Sequence, residues 1–129
     1  MLFTPEKRTE IADQVLSLVA QDERIEAALT VGSMATEPDR WSDIDLAIAV
    51  ADHVDHVVVA HDWVVRLYEE LPILHHFETA FGDSLVRGFL LEDLLELDLS
   101  FTPRAEFSVW GPAQVAFDRS GELAVDQSP

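Results

Sequence analysis

The chain has 129 residues, a length that fits one domain. It carries 25 acidic against 8 basic residues, seven of the latter arginine and one Lys7, for a formal charge of -17. That field repels nucleic acid and anionic membranes, and the absence of cysteine excludes disulfides, thiolate catalysis and cysteine-based zinc sites. With 48% apolar residues and scattered glycine and proline the composition is globular, and adaptation to solubility or salt accounts for the acid excess as well as a cationic partner does. The N-terminal stretch lacks the basic start and apolar run of a secretory signal, and no segment approaches eighteen uncharged apolar residues, so a cytoplasmic protein without membrane contact is expected.

In chain order, Thr4-Pro5 suits an N-cap followed by the first helical residue. Ile11, Val15, Leu18 and Val19 recur behind it at helical spacing, which predicts a helix over residues 5–21. IEAALTVGS reads as a central strand ending at Gly32, and the polar TEPDRW links it to a second strand, SDIDLAIAV. The later residues of that strand are apolar on both faces, as in a sheet covered by helices. A helix follows over residues 52–71, with Asp52 as its cap, Asp55 in its first turn, and Val54, Val57, Val58, His61, Val65 and Tyr68 as its apolar stripe. Further strands are expected at ILHHFETAF, SLVRGFLL and LLELDLSFT, the last two joined as a hairpin at Glu92-Asp93. Then come a short helix around Phe107 and Trp110, an edge strand QVAFD and a turn from Asp118 to Gly121. The fold class is α/β (α+β), a mixed sheet with flanking helices.

Alternation in SDIDLAIAV puts Asp43 and Asp45 on one face and Ile44 and Leu46 on the other. LLELDLSFT repeats the pattern, with Glu96, Asp98 and Ser100 alternating with Leu95, Leu97 and Leu99. If the two strands are neighbours, Asp98 meets Asp43 and Asp45, and three hard oxygen ligands converge in a set suited to Mg²⁺. Gly32 and Ser33, at the end of the preceding strand, offer backbone and hydroxyl donors to phosphate.

These residues, Gly32-Ser33, Trp41-Ser42-Asp43-Ile44-Asp45-Leu46 and Leu97-Asp98-Leu99-Ser100-Phe101, resemble the nucleotidyltransferase superfamily with its DNA polymerase beta-like palm. Within it the chain is most similar to the small-substrate and antibiotic nucleotidyltransferases. The resemblance covers about residues 26–118 of a single catalytic domain. It implies that Gly32, Ser33 and Ser42 contact the nucleotide, that Asp43 and Asp45 bridge two Mg²⁺ ions, and that Asp98 binds the catalytic ion and helps deprotonate an acceptor hydroxyl. The implied reaction moves a nucleoside monophosphate, AMP from ATP, to a small acceptor such as an aminoglycoside or a lincosamide. Relatives continue into a helical acceptor-binding domain, whereas this sequence stops at VDQSP; the expectation is that this domain is absent here, and that either the chain is a fragment or a second subunit or protein partner completes the cleft. Minimal relatives also act as antitoxins that bind or AMPylate a helical RNase toxin, and an inactive structural fragment is the third reading.

Other residues carry less. His53 and His56 lack a recognisable third zinc ligand, adjacent His75 and His76 should point to opposite sides of a strand, and His61 is expected at the edge of the core. Of Trp41, Trp63 and Trp110, Trp41 has the best placement for stacking on a substrate. Of Arg40, Arg66, Arg87 and Arg104, Arg87 is the first candidate for phosphate.

Overall fold

The computed structural model describes residues 2–32, 43–109 and 111–121. The first helix, α1 (Pro5–Ala20), starts as the sequence predicts: Thr4 has extended backbone, its side chain accepts from the Lys7 amide, and Pro5 opens the helix. Its buried face includes Ile11, Ala12, Val15 and Val19. β1 (Ile25–Val31) and β2 (Ile44–Val50) follow, then α2 (His56–Glu70), the hairpin of β3 (Ile73–Phe81) and β4 (Ser84–Leu91), β5 (Glu96–Pro103) and β6 (Ala113–Asp118). The strands form one sheet in the order β3-β4-β5-β2-β1-β6. Among the described residues only the β2–β5 pair is parallel. This is the mixed α/β architecture expected from the sequence. Among the described residues no helix is long and apolar enough to cross a membrane.

Alternation divides the sheet into two unlike faces. Ile44, Leu46, Ile48, Leu97, Leu99, Phe101 and Phe89 pack with α1 and α2 in the main core. The other face carries no helix among the described residues. Ala27, Leu29, Ala49 and Ala113 form a small second cluster there, with Phe107 and Val109 packed on it. The helices α1 and α2 cover the face opposite Asp45 and Asp98, as expected, and among the described residues the second face of β2 packs against the extended segment that carries Phe107 and Val109.

Four local expectations also change. The cap of α2 is Asp55, whose carboxylate accepts from the Val57 amide, while Asp52 accepts from Ala105 across the molecule. The buried stripe of α2 is Val59, Ala60, Trp63, Val64 and Leu67; Val57, Val58, Val65, Tyr68 and His61 are exposed. A 3-10 turn at Arg104–Glu106 replaces the helix expected around Phe107, which is itself extended. Trp110 lies outside the described residues. β4 and β5 pair antiparallel as the expected hairpin, but their link is longer than Glu92-Asp93: it runs through Leu95, which donates its amide to Asp93, and Leu94 takes a left-handed φ of 69°.

Trp63 serves packing. Its indole Nε1 donates to Asp22 at 2.9 Å, and the same carboxylate accepts from the Arg24 amide and guanidinium. Burial works to raise the proton affinity of Asp22, but these bonds from Arg24 and Trp63 outweigh it and hold the carboxyl below its ordinary value. Asp22→Ala leaves the buried indole N–H unpaired, and we expect a loss of about 2 kcal/mol. Urea denaturation at 25 °C measures it; a loss below about 0.5 kcal/mol would mean that the network contributes nothing to stability.

Candidate active site

The sheet register decides which acids meet. Asp45 stands opposite Asp98, and Ile44 opposite Leu97, in the parallel β2–β5 pair. Opposed residues face the same side, so Asp45 and Asp98 project from the face opposite α1 and α2, and the two side chains lie within hydrogen-bonding reach. Asp43, immediately before β2, and Glu96, at the head of β5, join them. One carboxylate oxygen from each of Asp43, Glu96 and Asp98 falls within a group no more than 4.8 Å across. All three acids singled out from the sequence are thus gathered together, and a fourth, Glu96, stands with them. The signal for Glu96 is present in LLELDLSFT, where it shares its face with Asp98; the resemblance assigns a role to Asp98 alone.

Gly32 closes β1 beside this cluster. Its φ of +68° is a left-handed conformation that favours glycine, and a Cβ built on it would lie 3.7 Å from Asp45 Oδ2. Its amide donates to the carbonyl of Pro112 at 3.1 Å, which ties the end of β1 to the start of β6. Ser33 and Ser42, the other expected nucleotide contacts, lie outside the described residues, as do Arg40 and Trp41. Arg87 does not join the site. It pairs with Leu99, on the helix side of the sheet, and its guanidinium bonds to the carbonyls of Thr79 and Val86. His75 and His76 do point apart: His76 bonds to Tyr68 and Glu78 and stacks with Phe89 on the helix side, while His75 is exposed.

Crowding shows in the electrostatics. Burial pushes Asp98 up to about 8, reinforced by a hydrogen bond to Glu96 and by repulsion from Glu96, Asp45 and Asp43. Burial also raises Asp45, with repulsion from Glu96 adding to it and a hydrogen bond from Asp98 working against it. Asp43 is raised by burial, then by Glu96 and Asp45. Asp98 Oδ1 is buried, and no donor among the described residues reaches it. An acceptor-only oxygen set with one buried, unsatisfied member, whose charges oppose one another, fits a hard divalent cation.

Beside the carboxylates on the same face lies a cavity of about 250 Å³, lined by Val31, Ala47, Ser84, Ser100, Thr102 and the segment from Glu106 to Val109. A larger cleft of about 730 Å³ lies on the helix side, between the end of α1 and α2. Its Arg24 is already engaged by Asp22 and Asp62, at 2.8 and 2.7 Å.

The family model for streptomycin adenylyltransferase matches residues 6–115, a span that contains α1 from its second residue, α2, Gly32 and all four carboxylates. The chain belongs to the streptomycin adenylyltransferase family. Its place in the nucleotidyltransferase superfamily, expected from the sequence motifs, is thereby established. A solved aminoglycoside 6-adenyltransferase from Bacillus subtilis superposes with a TM-score of 0.56 at 18% identity. The match covers 81% of this chain and 37% of that one. At that identity the likeness shows the fold, and the chain spans well under half the length of the solved protein. No curated protein matches the sequence.

Proposed function

We propose that the chain carries the catalytic site of an adenylyltransferase, which moves AMP from ATP to a hydroxyl of a small polycationic acceptor and releases pyrophosphate. The observation that carries this reading is the convergence of Asp43, Asp45, Glu96 and Asp98 beside Gly32 on the face opposite α1 and α2, in a member of the streptomycin adenylyltransferase family. Aminoglycosides fit the strongly acidic chain, because a net charge of -17 draws a polycation towards the site.

Asp43, Asp45 and Asp98 are the residues assigned to hold Mg²⁺, with Glu96 positioned to contribute. Bound there, Mg²⁺ would offset the triphosphate charge, polarise the α-phosphate and lower the pKa of a coordinated hydroxyl. The chain supplies the orientation. Gly32 leaves room for phosphate oxygens at the end of β1, a role that Ser33 and Ser42 are proposed to share. Asp98, at the centre of the row, accepts the proton of the acceptor hydroxyl. The hydroxyl oxygen forms the new bond to the α-phosphorus, the bond from that phosphorus to the bridging oxygen breaks, and pyrophosphate leaves with the electron pair.

The test is pyrophosphate release by the full-length protein with ATP, Mg²⁺ and a panel containing streptomycin, other aminoglycosides and a lincosamide. Release that depends on acceptor and stops with EDTA is expected. No acceptor-dependent release across the panel overturns the reading.

A further inference from the structure

The row that contains Asp45 and Asp98 continues across the sheet. Asp98 stands opposite Gly88 in β4, and Gly88 stands opposite Phe77 in β3. Directly opposed residues share a face, so Phe77 projects from the same side as the carboxylates. Gly88 has no side chain to occupy its place in the row, and the Phe77 ring occupies it. A Cβ on Gly88 would lie 2.0 Å from the ring's Cζ and 2.4 and 2.5 Å from its two Cε atoms. The ring therefore leans inward from the edge strand with its tip over β4, one strand spacing of about 4.8 Å from β5 and Asp98. It remains 43% exposed.

Sheet order gives this ring a side. Gly32 ends β1, beyond Asp45, whereas Phe77 lies on β3, beyond Asp98. The two flank the carboxylates from opposite directions. With nucleotide phosphates at the Gly32 flank, the β3–β4 flank is left for the acceptor.

We infer that Phe77, seated on Gly88, is a positioning residue for the acceptor, an inference that rests on the nucleotidyl-transfer reading above. The exposed ring receives the apolar C–H face of a sugar or cyclitol ring, and the neighbouring carboxylates of Asp98 and Glu96 meet its hydroxyl and cationic groups. Aromatic contact of this kind combines apolar area with a defined geometry, which is what presenting one hydroxyl out of several requires. A glycine beneath the ring lets it lie low enough for a substrate to sit above it; with any larger residue at position 88 the ring must lift.

Steady-state kinetics of Phe77→Ala and Phe77→Trp test this, with ATP as donor and streptomycin as acceptor, or another member of the panel if the wild type prefers it. Phe77→Ala should raise the acceptor KM about ten-fold while the ATP KM stays within about two-fold, and Phe77→Trp should restore the acceptor KM. Calorimetric binding of the same acceptor without ATP should weaken in parallel. Gly88→Ala, which displaces the ring without removing it, should also raise the acceptor KM. Circular dichroism checks that each variant is folded, and Phe77→Leu replaces Phe77→Ala if the latter is not. An acceptor KM within about three-fold of wild type in the folded variant, or an equal rise for ATP, overturns the assignment and leaves Phe77 as a cover for glycine in a strand. Wild-type protein without acceptor-dependent pyrophosphate release removes both readings, whereas active wild type with an unmoved acceptor KM removes this one alone.

Discussion

Asp45→Asn should leave a folded protein whose nucleotidyl transfer has fallen by a factor of about 10³ or more. The amide keeps the shape of the side chain and the alternation of β2, so the apolar face of Ile44, Leu46 and Ile48 stays in register with the core. What disappears is one negative charge in a row in which Asp45 faces Asp98, and with it the ligand that the proposed mechanism assigns to Asp45. Charge that develops on the phosphates in the transition state then loses part of its fixed compensation. Stability should move the other way: Asp45 is raised by burial and by repulsion from Glu96, so its ionised form is unfavourable in the metal-free fold. Neutralising it should stabilise by no more than about 1 kcal/mol after solvent screening, roughly 4 °C in Tm. Scanning fluorimetry in EDTA and the pyrophosphate assay on one sample measure both effects. Near-normal Mg²⁺-dependent transfer in this variant would exclude Asp45 as an essential ligand, and the mechanism with it.

The part of the site legible in the sequence is the part that backbone alternation dictates. Asp43, Asp45 and Asp98 each sit one residue away from a core aliphatic, and burying Ile44, Leu46, Leu97 and Leu99 leaves the acids no other face. The same rule places Glu96 beside Asp98, but a recurring motif directs attention to the residues it names, and Glu96 is not among them. Arg87 and Gly88 depended on register across the β4–β5 turn. That turn places Leu94 in a left-handed conformation, which a sequence offering leucine there does not announce. A shift by one residue would exchange the faces of Arg87 and Gly88, so neither the distance of Arg87 from the site nor the closeness of Phe77 to it could be read beforehand.

The helix α2 is present as expected, and its buried face departs from the expected one for a different reason. Val57, Val58, Val65 and Tyr68 form one stripe of helical period, and Val59, Ala60, Trp63, Val64 and Leu67 form another. Periodicity identifies a helix with two apolar stripes without saying which one is buried. The choice is made by partners far away in the chain, including Asp22, which satisfies the indole N–H of Trp63 and so lets that ring enter the interior. The capping residue moved for a similar reason, since Asp52 is engaged by Ala105 and Asp55 is left to hold the helix start.

The second large effect expected is on the pH dependence of stability, and it belongs to Asp98. Its carboxyl is pushed up to about 8 in the folded, metal-free protein, by burial first and then by Glu96, Asp45 and Asp43, against an ordinary 3.8. Between those values the folded state holds a proton that the unfolded chain has released, so the free energy of unfolding falls as pH rises from about 4 to about 8. Below that window the group imposes no penalty; above it the penalty is complete. Asp98→Asn removes this dependence. In EDTA at pH 8 the variant should therefore be more stable than wild type by about 1 to 2 kcal/mol once solvent screening is allowed for, roughly 4 to 8 °C in Tm, and at pH 4 the two should coincide. Millimolar Mg²⁺ at pH 8 should raise the wild-type Tm, because a bound cation compensates the crowded charge, and should do little for the variant. Transfer activity should be lost in Asp98→Asn at every pH, since asparagine neither accepts the hydroxyl proton nor replaces the missing charge. Thermal melts of both proteins from pH 4 to 8, with EDTA and with Mg²⁺, decide the matter. Parallel curves for the two proteins would show that Asp98 carries no unusual proton affinity, and an equal response to Mg²⁺ would place the cation away from it.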